Sequence, residues 1–270
     1  MLVAISGAQC GKPTAAPTKA KPTAAPTKAK PMPAAHLGLG LKLACGYGFT
    51  CAVLPSTKVK CWGHGAYGEL GNGGQSNSVT PVLVSGLVGV LALAARRQHT
   101  CALLSSGAVK CWGLNNEGQV GDGTVGTIYN PVTTPVTVRN IANAVQIAAG
   151  EAHTGALLST GTVMCWGGNS YKQLATYAGS QSATPIAISG VKGVIQIACQ
   201  SSEGACALLA TGNIMCWGEA GSLDGNNGRA PTTVSGISNV KLVTAFGCAV
   251  LITRAPSSVG GLRTRGQCNL

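Results

Sequence analysis

Pairs of cysteines ten residues apart are the residues of this sequence best placed to do chemistry. They are Cys51 with Cys61, Cys101 with Cys111, and Cys206 with Cys216, six of the twelve cysteines in the chain. In the second pair the turn sequence Ser105-Ser106-Gly107 lies between two apolar runs, which predicts a hairpin that places the two cysteines opposite each other. Directly opposed residues come within disulfide reach, so we predict three bridges, each contributing roughly 3 kcal/mol. Burial as small apolar side chains is the alternative.

The remaining cysteines do not fit this scheme. In the third copy of the hairpin, Gly155 occupies the position of the first cysteine and Cys165 is left alone. Cys45 and Cys199 occupy nearly the same position, six and seven residues before a hairpin cysteine. The sequence does not assign partners to Cys10, Cys45, Cys165, Cys199, Cys248 and Cys268, because even six cysteines allow fifteen connectivities.

Each hairpin ends in a Cys-Trp-Gly triplet, and the triplets recur at offsets of 50, 54 and 51 residues. A period of this size indicates a solenoid or a propeller. The triplets contain Trp62, Trp112, Trp166 and Trp217. If exposed, these side chains would form a stacking surface for sugars. Their periodic placement after a buried strand favours packing between repeats instead.

Other polar residues do not assemble into a catalytic constellation. His99 and His153 occupy equivalent repeat positions, which favours a framework role over that of a base or ligand. Cysteines ten apart do not have zinc-site spacing, and the loop around Asp122 is more typical of a turn than of a calcium site. We therefore predict that the chain is not an enzyme and has no catalytic residues, metal or organic cofactor.

The elements that position these residues are short strands. Besides the hairpin, each repeat has a Val/Ile/Leu/Ala run before it, a Gly- and Asn-rich loop after it, and then an edge segment with Pro81, Pro135, Pro185 or Pro231. Four strands per repeat predict an all-β fold of four-stranded antiparallel propeller blades. We expect about four to five blades over residues 37–254, with an open or truncated ring.

The ends of the chain differ from the repeats. Residues 1–36 are rich in Pro, Lys, Ala and Thr, with the nonamer KPTAAPTKA repeated, and predict an extended linker that is dispensable for folding. Residues 255–270 lose the repeat pattern and predict an irregular tail. No segment reads as a signal peptide or as a transmembrane span.

The repeat resembles the regulator of chromosome condensation repeat in a version that carries cysteines. The resemblance covers roughly Leu43 to Leu251 and rests on these motifs: His99-Thr100-Cys101-Ala102-Leu103, Cys111-Trp112-Gly113, Asn115, Gly118-Gln119, Gly121-Asp122-Gly123-Thr124, His153-Thr154-Gly155-Ala156-Leu157 and Asn169. Members of that family commonly close a ring of seven blades, whereas this chain has four copies and the fragment Ala245 to Leu251. The best-known members are guanine-nucleotide exchange factors.

Two functions therefore compete. The first is a non-enzymatic scaffold, secreted or displayed at the cell surface, whose loops bind a protein or a glycan; the second is exchange on a small GTPase. Cysteine usage favours the first, because paired cysteines are typical of oxidising compartments. The loops that vary most between copies are Gly63 to Gly74, Gly113 to Thr127, Gly167 to Ser182 and Gly218 to Arg229. Together with Lys42, the linker holds six of the nineteen basic residues and none of the seven acidic ones. The other charges are spread thinly rather than clustered, so we expect no nucleic-acid partner. An open blade edge would permit self-association.

Overall fold

Nineteen strands make up the described structure, a computed structural model that covers residues 2–4, 42–176, 179–199, 204–218, 230–235, 238–243 and 248–251. The first two four-stranded sheets contain β2 Leu43–Cys45, β3 Phe49–Val53, β4 Val59–Gly63 and β5 Ser78–Leu83, then β6 Val90–Arg96, β7 His99–Leu104, β8 Val109–Gly113 and β9 Val132–Thr137. The next two contain β10 Ala144–Ala149, β11 His153–Leu158, β12 Val163–Gly168 and β13 Gln181–Ala187, then β14 Val194–Cys199, β15 Gly204–Leu209, β16 Ile214–Gly218 and β17 Thr232–Thr233.

Every one of these four sheets is an antiparallel meander in sequence order. The prediction of four-stranded antiparallel propeller blades is thus confirmed. We call the sheets blades one to four in chain order. A further sheet of three strands contains β18 Val240–Val243, β19 Cys248–Leu251 and β1 Leu2–Ala4, with β19 in the middle.

The tight turns of the hairpins have the predicted glycine geometry. Gly107, Gly161 and Gly212 have φ of 80°, 82° and 83°, in the left-handed region that a side chain disfavours. Blade one lacks the glycine, and Thr57 takes the positive φ of 61°. The amide of Leu104 donates to the Ala108 carbonyl at 2.9 Å, which closes the predicted three-residue loop.

Consecutive blades pack face to face, and the core is divided among the interfaces. One apolar cluster lies between blades one and two, one between two and three, one between three and four, and one between blade four and the three-stranded sheet. The first strands of consecutive sheets contact one another, namely β2 with β6, β6 with β10, β10 with β14 and β14 with β18. Each fourth strand is an edge strand, which is why it tolerates proline.

Two glutamines link first strands across interfaces. Gln146 donates its Nε2 to the Ile197 carbonyl at 3.0 Å and accepts from the Ile197 amide at 2.9 Å. Gln196 makes the same pair of bonds with Val243, at 2.9 and 3.0 Å. A side-chain amide matches the donor and acceptor of one backbone unit, so these bonds fix the axial position of one blade against the next.

Blade one presents one face that no other described blade covers. Leu43 is 54% exposed, whereas Leu93, at the corresponding place in blade two, is 1% exposed. Leu43, Ala52, Lys60 and Leu83 form one row across the sheet by register. The side chains of this row share a face because strand side chains alternate.

The predictions for the chain ends are tested only at their margins. Leu2–Ala4, within the predicted linker, pair with β19. Residues 5–41 and the predicted tail 255–270 lie outside the described residues, as does the predicted loop segment 219–229. The linker and tail therefore stay predictions. No helix long and apolar enough to cross a bilayer occurs in the part of the chain that is described.

Candidate protein-binding face

The predicted hairpin register is present at all three cysteine pairs. Cys51 lies opposite Cys61, Cys101 opposite Cys111, and Cys206 opposite Cys216. In each pair the Cα atoms are 4.1 Å apart, and the sulfur atoms are at bonding distance. These positions support intrablade bridges, whose presence in the oxidised protein stays a prediction. Among the described residues Cys45, Cys165 and Cys199 are unbridged.

The tryptophans of the repeat pack between blades. Trp112, Trp166 and Trp217 are fully buried. Each donates its indole N–H to a loop carbonyl of the preceding blade, respectively that of Glu69 at 2.7 Å, Gln119 at 2.9 Å and Gln173 at 2.9 Å. Trp62 is only half-buried because its side chain lies on the uncovered face of blade one. The geometry therefore favours packing over sugar stacking at the three buried rings.

The two histidines differ in their partners. His99 Nε2 lies 3.0 Å from Thr154 Oγ1, which itself donates to the Gln119 carbonyl at 2.9 Å, so this short chain of hydrogen bonds joins blades two and three. By repeat register, Ala205 of blade four occupies the place that Thr154 has in blade three. Neither ring nitrogen of His153 makes a hydrogen bond of ordinary geometry among the described residues. The alanine accounts for Nε2, because it has no hydroxyl, and Nδ1 of His99 lacks a partner as well.

Burial keeps both imidazoles neutral. It lowers the pKa of His99 to about 3, with a further contribution from the nearby His153. It lowers the pKa of His153 to about 4, and the backbone of Gly204 opposes that fall although it makes no hydrogen bond of ordinary geometry with the ring. A neutral imidazole that is fully buried between blades fits a framework role, which is the role that the repeat positions of His99 and His153 predict. Neither ring is accessible to a substrate, since both side chains are fully buried.

Turns and loops meet at one end of the blades, which we call the loop end. Residues 46–48, 97–98 and 150–152 precede the second strands there, and residues 64–77, 114–131 and 169–180 follow the third strands. The pairs Phe49–Gly63, His99–Gly113 and His153–Gly167 hold each turn beside its loop. The second and third strands are antiparallel, so this arrangement follows directly from the repeat.

Buried asparagine side chains hold the base of the loops in blades two and three. Asn115 donates its Nδ2 to the Thr124 carbonyl at 3.1 Å and accepts from the Val120 amide at 3.0 Å. Asn169 accepts from the Leu174 amide at 3.0 Å. Asp122 Oδ1 accepts from the amide and hydroxyl of Thr124 at 2.9 and 2.6 Å, the turn geometry expected from the sequence. Among the described residues, no group of three or more His, Cys, Asp or Glu side chains could hold a metal ion.

Charged and aromatic side chains lie at the loop end. Arg97 Nη1 of blade two lies 2.6 Å from Glu151 Oε1 of blade three. The Arg97 carbonyl accepts from the Tyr47 amide at 2.7 Å, and the Tyr47 side chain is 75% exposed. Burial raises the pKa of the neighbouring Glu117, and the positive charge of Arg97 opposes that rise. The loop end thus carries an arginine, two carboxylates and an exposed tyrosine across three blades.

The loop of blade two is longer than its counterparts. Gly63 pairs with Ser78 and Gly167 with Ser182, at separations of 15 residues, whereas Gly113 pairs with Val132 at a separation of 19. The additional residues form a tip, Val125–Tyr129, whose side chains Val125, Ile128 and Tyr129 are 46%, 46% and 85% exposed. The tip is tied down by the Gly126 amide, which donates to the Asn115 carbonyl at 2.8 Å, and by a bridge between Thr127 and Asn130.

The sequence pattern indicates this loop but not the exposure of the side chains at its tip. The available signal was the offset of 54 residues between the second and third triplets, against 50 and 51 elsewhere. An insertion that ends in three apolar side chains on a fixed base is an unusual feature for a surface loop, because large exposed apolar groups commonly mark interaction sites. We call Val125–Tyr129 the blade-two tip.

The fold defines the class of the protein as a β-propeller array of four-stranded blades. The chain contains repeats of the family described as regulator of chromosome condensation (RCC1) repeat, with matches at residues 58–103 and 106–157 for one model of the repeat and at 92–119 and 144–173 for another. The resemblance found in the sequence is confirmed.

The relatives are much larger proteins. The chain is 31% identical over 208 residues to the probable E3 ubiquitin-protein ligase HERC4 of Rattus norvegicus, and 28% identical over 209 residues to the E3 ubiquitin-protein ligase HERC2 of Homo sapiens. These matches cover 73% and 74% of this chain but 19% and 4% of the relatives. The chain therefore spans about a fifth or less of the length of these relatives.

Solved structures show the same fold. Prp20p of Saccharomyces cerevisiae, whose structure was described with its binding to Gsp1p and histones, has a TM-score of 0.68 at 22% identity, covering 79% of this chain and 56% of that one. Human WBSCR16 has a TM-score of 0.63 at 23% identity, covering 75% and 56%.

Proposed function

We propose that this chain is a non-enzymatic scaffold that binds a protein through the loop end of its blades. The blade-two tip carries the proposal, because it combines exposed apolar side chains with a fixed base. Aromatic and arginine side chains are enriched in the energetic centres of protein interfaces, and both types occur at this end, as Tyr47, Tyr129 and Arg97.

The partner class is a proposal on two supports. Prp20p is described as binding Gsp1p and histones, and yeast RCC1 (Prp20) as bound by Kap60, so propellers of these repeats bind proteins. Exposed side chains at the tip are mainly apolar, which suits a protein surface better than a sugar or a nucleic acid. A glycan partner has no corresponding observation in its favour.

The test compares the tip with an exposed apolar residue at the opposite end. The bait carries Ile128→Ser with Tyr129→Ser, and the control carries Val88→Ser, a side chain that is 80% exposed in the turn between β5 and β6. Proteins captured by the wild-type chain should be lost from the tip variant and kept by the control. Two truncated contacts at about 1 kcal/mol each would weaken binding by more than tenfold. Equal capture by the tip variant would refute the assignment.

Secretion or surface display is a second part of the proposal. It is supported by three cysteine pairs at disulfide distance inside hairpins, an arrangement typical of oxidising compartments. Fractionation of the producing cells is the measurement, and it should find the protein outside the cytosol. Recovery from the cytosol with reduced cysteines would favour an intracellular scaffold.

Nucleotide exchange on a small GTPase is the alternative function, favoured by the likeness to Prp20p. An exchange assay on a panel of small GTPases, run beside the capture experiment, separates the two. Stimulated nucleotide release without any tip-dependent partner would overturn the scaffold proposal in favour of exchange.

Self-association is proposed for the uncovered face of blade one, where Leu43 and Leu83 are 54% and 48% exposed. Light scattering of the purified chain should then report a mass that rises with concentration. The variant Leu43→Ser should lower this rise, while a constant monomer mass in both proteins would reject the proposal.

A further inference from the structure

The third blade departs from the cysteine pattern at two positions that meet in space. Gly155 lies opposite Cys165, at the place of the first hairpin cysteine in the other blades. Cys199 of blade four lies opposite Ala205, and its repeat equivalents Ala149 and Ala95 are alanines. Blade three has thus lost a sulfur next to the interface where blade four has gained one.

The structure brings the two unbridged sulfurs to one point. A Cβ atom built on Gly155 would lie 3.2 Å from Cys199 Sγ and 3.6 Å from Cys165 Sγ. Both cysteines are 1% exposed and belong to the apolar cluster between blades three and four. Both thiols therefore border the space that a side chain at position 155 would fill. Because Gly155 has no Cβ, the Cys199 side chain has room to lie there.

We propose that Cys165 and Cys199 form a disulfide that joins blade three to blade four, in place of the hairpin bridge that Gly155 precludes. The interface between blades two and three has the opposite arrangement, with a cysteine pair inside the hairpin and Ala149 on the adjoining strand. Blade three has Gly155 where the other blades have a hairpin cysteine, and blade four has Cys199 where blade three has Ala149. The sulfur is thus supplied from the other side of the interface, and it still lies beside Cys165.

The chemistry is thiol–disulfide exchange with a low-molecular-weight disulfide such as oxidised glutathione. One thiolate attacks the oxidant and releases one glutathione thiol; the second protein thiolate then attacks the mixed disulfide and releases the other. Two protein thiols become one S–S bond, and one glutathione disulfide becomes two thiols. Burial raises the pKa of Cys199 to about 12 and also raises the pKa of Cys165, so exchange is fast only before the blades close.

Peptide mapping of the full chain tests this directly. The protein is refolded with reduced and oxidised glutathione, alkylated in denaturant at low pH, and digested with trypsin and Glu-C without reduction. Cleavage after Glu151, Lys172, Lys192, Glu203 and Glu219 gives peptides 152–172, 193–203 and 204–219, which separate Cys165, Cys199 and the pair Cys206 with Cys216. The expected product is peptide 152–172 linked to 193–203, which disappears on reduction.

Three variants guard against a mapping artefact. Cys199→Ala introduces the alanine that blades two and three have at this position and should leave Cys165 alkylated. Cys45→Ala, at the equivalent position on the uncovered face of blade one, should keep the link. Gly155→Cys combined with Cys199→Ala should move the bridge into peptide 152–172. Recovery of Cys165 and Cys199 as alkylated thiols from the wild-type protein, or of either linked to another cysteine, would overturn the proposal.

Discussion

His153 offers a stability test whose size can be worked out from its surroundings. The ring is fully buried and makes no hydrogen bond of ordinary geometry among the described residues. Burial lowers its pKa to about 4 despite the opposing effect of the Gly204 backbone. His99, also fully buried, has a pKa of about 3. Because the folded state disfavours both charged forms, their contribution to stability is complete above the unfolded pKa of about 6.5 and is lost as the pH falls towards the folded values.

The magnitude follows from linkage. At pH 5 an unfolded histidine with a pKa of about 6.5 is largely protonated, whereas a folded one with a pKa of about 4 is largely neutral, which costs about 2 kcal/mol of folding free energy relative to pH 7. His99 adds a similar amount. We expect the two histidines together to lower the free energy of unfolding by about 4 kcal/mol between pH 7 and pH 5.

The variant His153→Phe isolates one of these contributions. Blade one already carries Phe49 at this repeat position, and both rings lie against a glycine, Gly46 or Gly150, that leaves room for them. The variant removes two buried nitrogens that make no hydrogen bond of ordinary geometry among the described residues, so we expect equal or higher stability at pH 7. Its loss between pH 7 and pH 5 should be smaller than that of the wild type by about 2 kcal/mol.

Urea unfolding followed by tryptophan fluorescence at both pH values measures this, with the wild-type chain as the control for all other titrating groups. An unchanged pH dependence in the variant would show that His153 is solvated or protonated in the folded state. The assignment of the buried imidazole as a neutral framework residue would then be wrong.

Two further predictions compare matched positions, and a third concerns the linker. Trp112→Phe should lower the free energy of unfolding by about 1 kcal/mol more than Trp166→Phe does, as measured by chemical unfolding. The Gln119 carbonyl, which loses the Trp166 indole, still accepts from the Thr154 hydroxyl. The Glu69 carbonyl, which loses the Trp112 indole, is left without that donor. Gly107→Ala should lower the melting temperature more than Gly161→Ala, since a Cβ at Gly107 would lie 2.7 Å from a carbonyl oxygen and one at Gly161 meets nothing within 4 Å. Deleting residues 1–36 should leave the β-sheet circular dichroism of the four blades, whose interfaces are built from later residues; a collapse of that signal would contradict the linker prediction.

The hairpins could be predicted in detail because their information is local. Side chains alternate with a period of two and the turn needs a residue at positive φ, so the position of one glycine sets the register of Cys101 opposite Cys111. The edge position of the fourth strands could likewise be predicted from their prolines, because a residue without an N–H is confined to strand ends and sheet edges. Repetition of these local signals was enough to predict blades.

The interblade contacts could not be predicted in this way. Trp112, Trp166 and Trp217 bond to carbonyls 43, 47 and 44 residues away, and which carbonyl they meet depends on how two sheets pack. The sequence indicated that Cys165 lacks a partner, yet only packing shows Cys199 beside it. The exposure of the blade-two tip is also a property of the assembled surface.

The sequence by itself determined the repeat, the strand order and the facing cysteines, since each depends on residues within one hairpin or one blade. Tertiary structure alone decided which faces are covered: Leu43 and Leu93 occupy equivalent positions, and one is exposed while the other is buried. The physical reason is that burial depends on the neighbouring sheet. A strand specifies which side chains share a face, but the presence of a partner on that face is decided by blades folded from other parts of the chain.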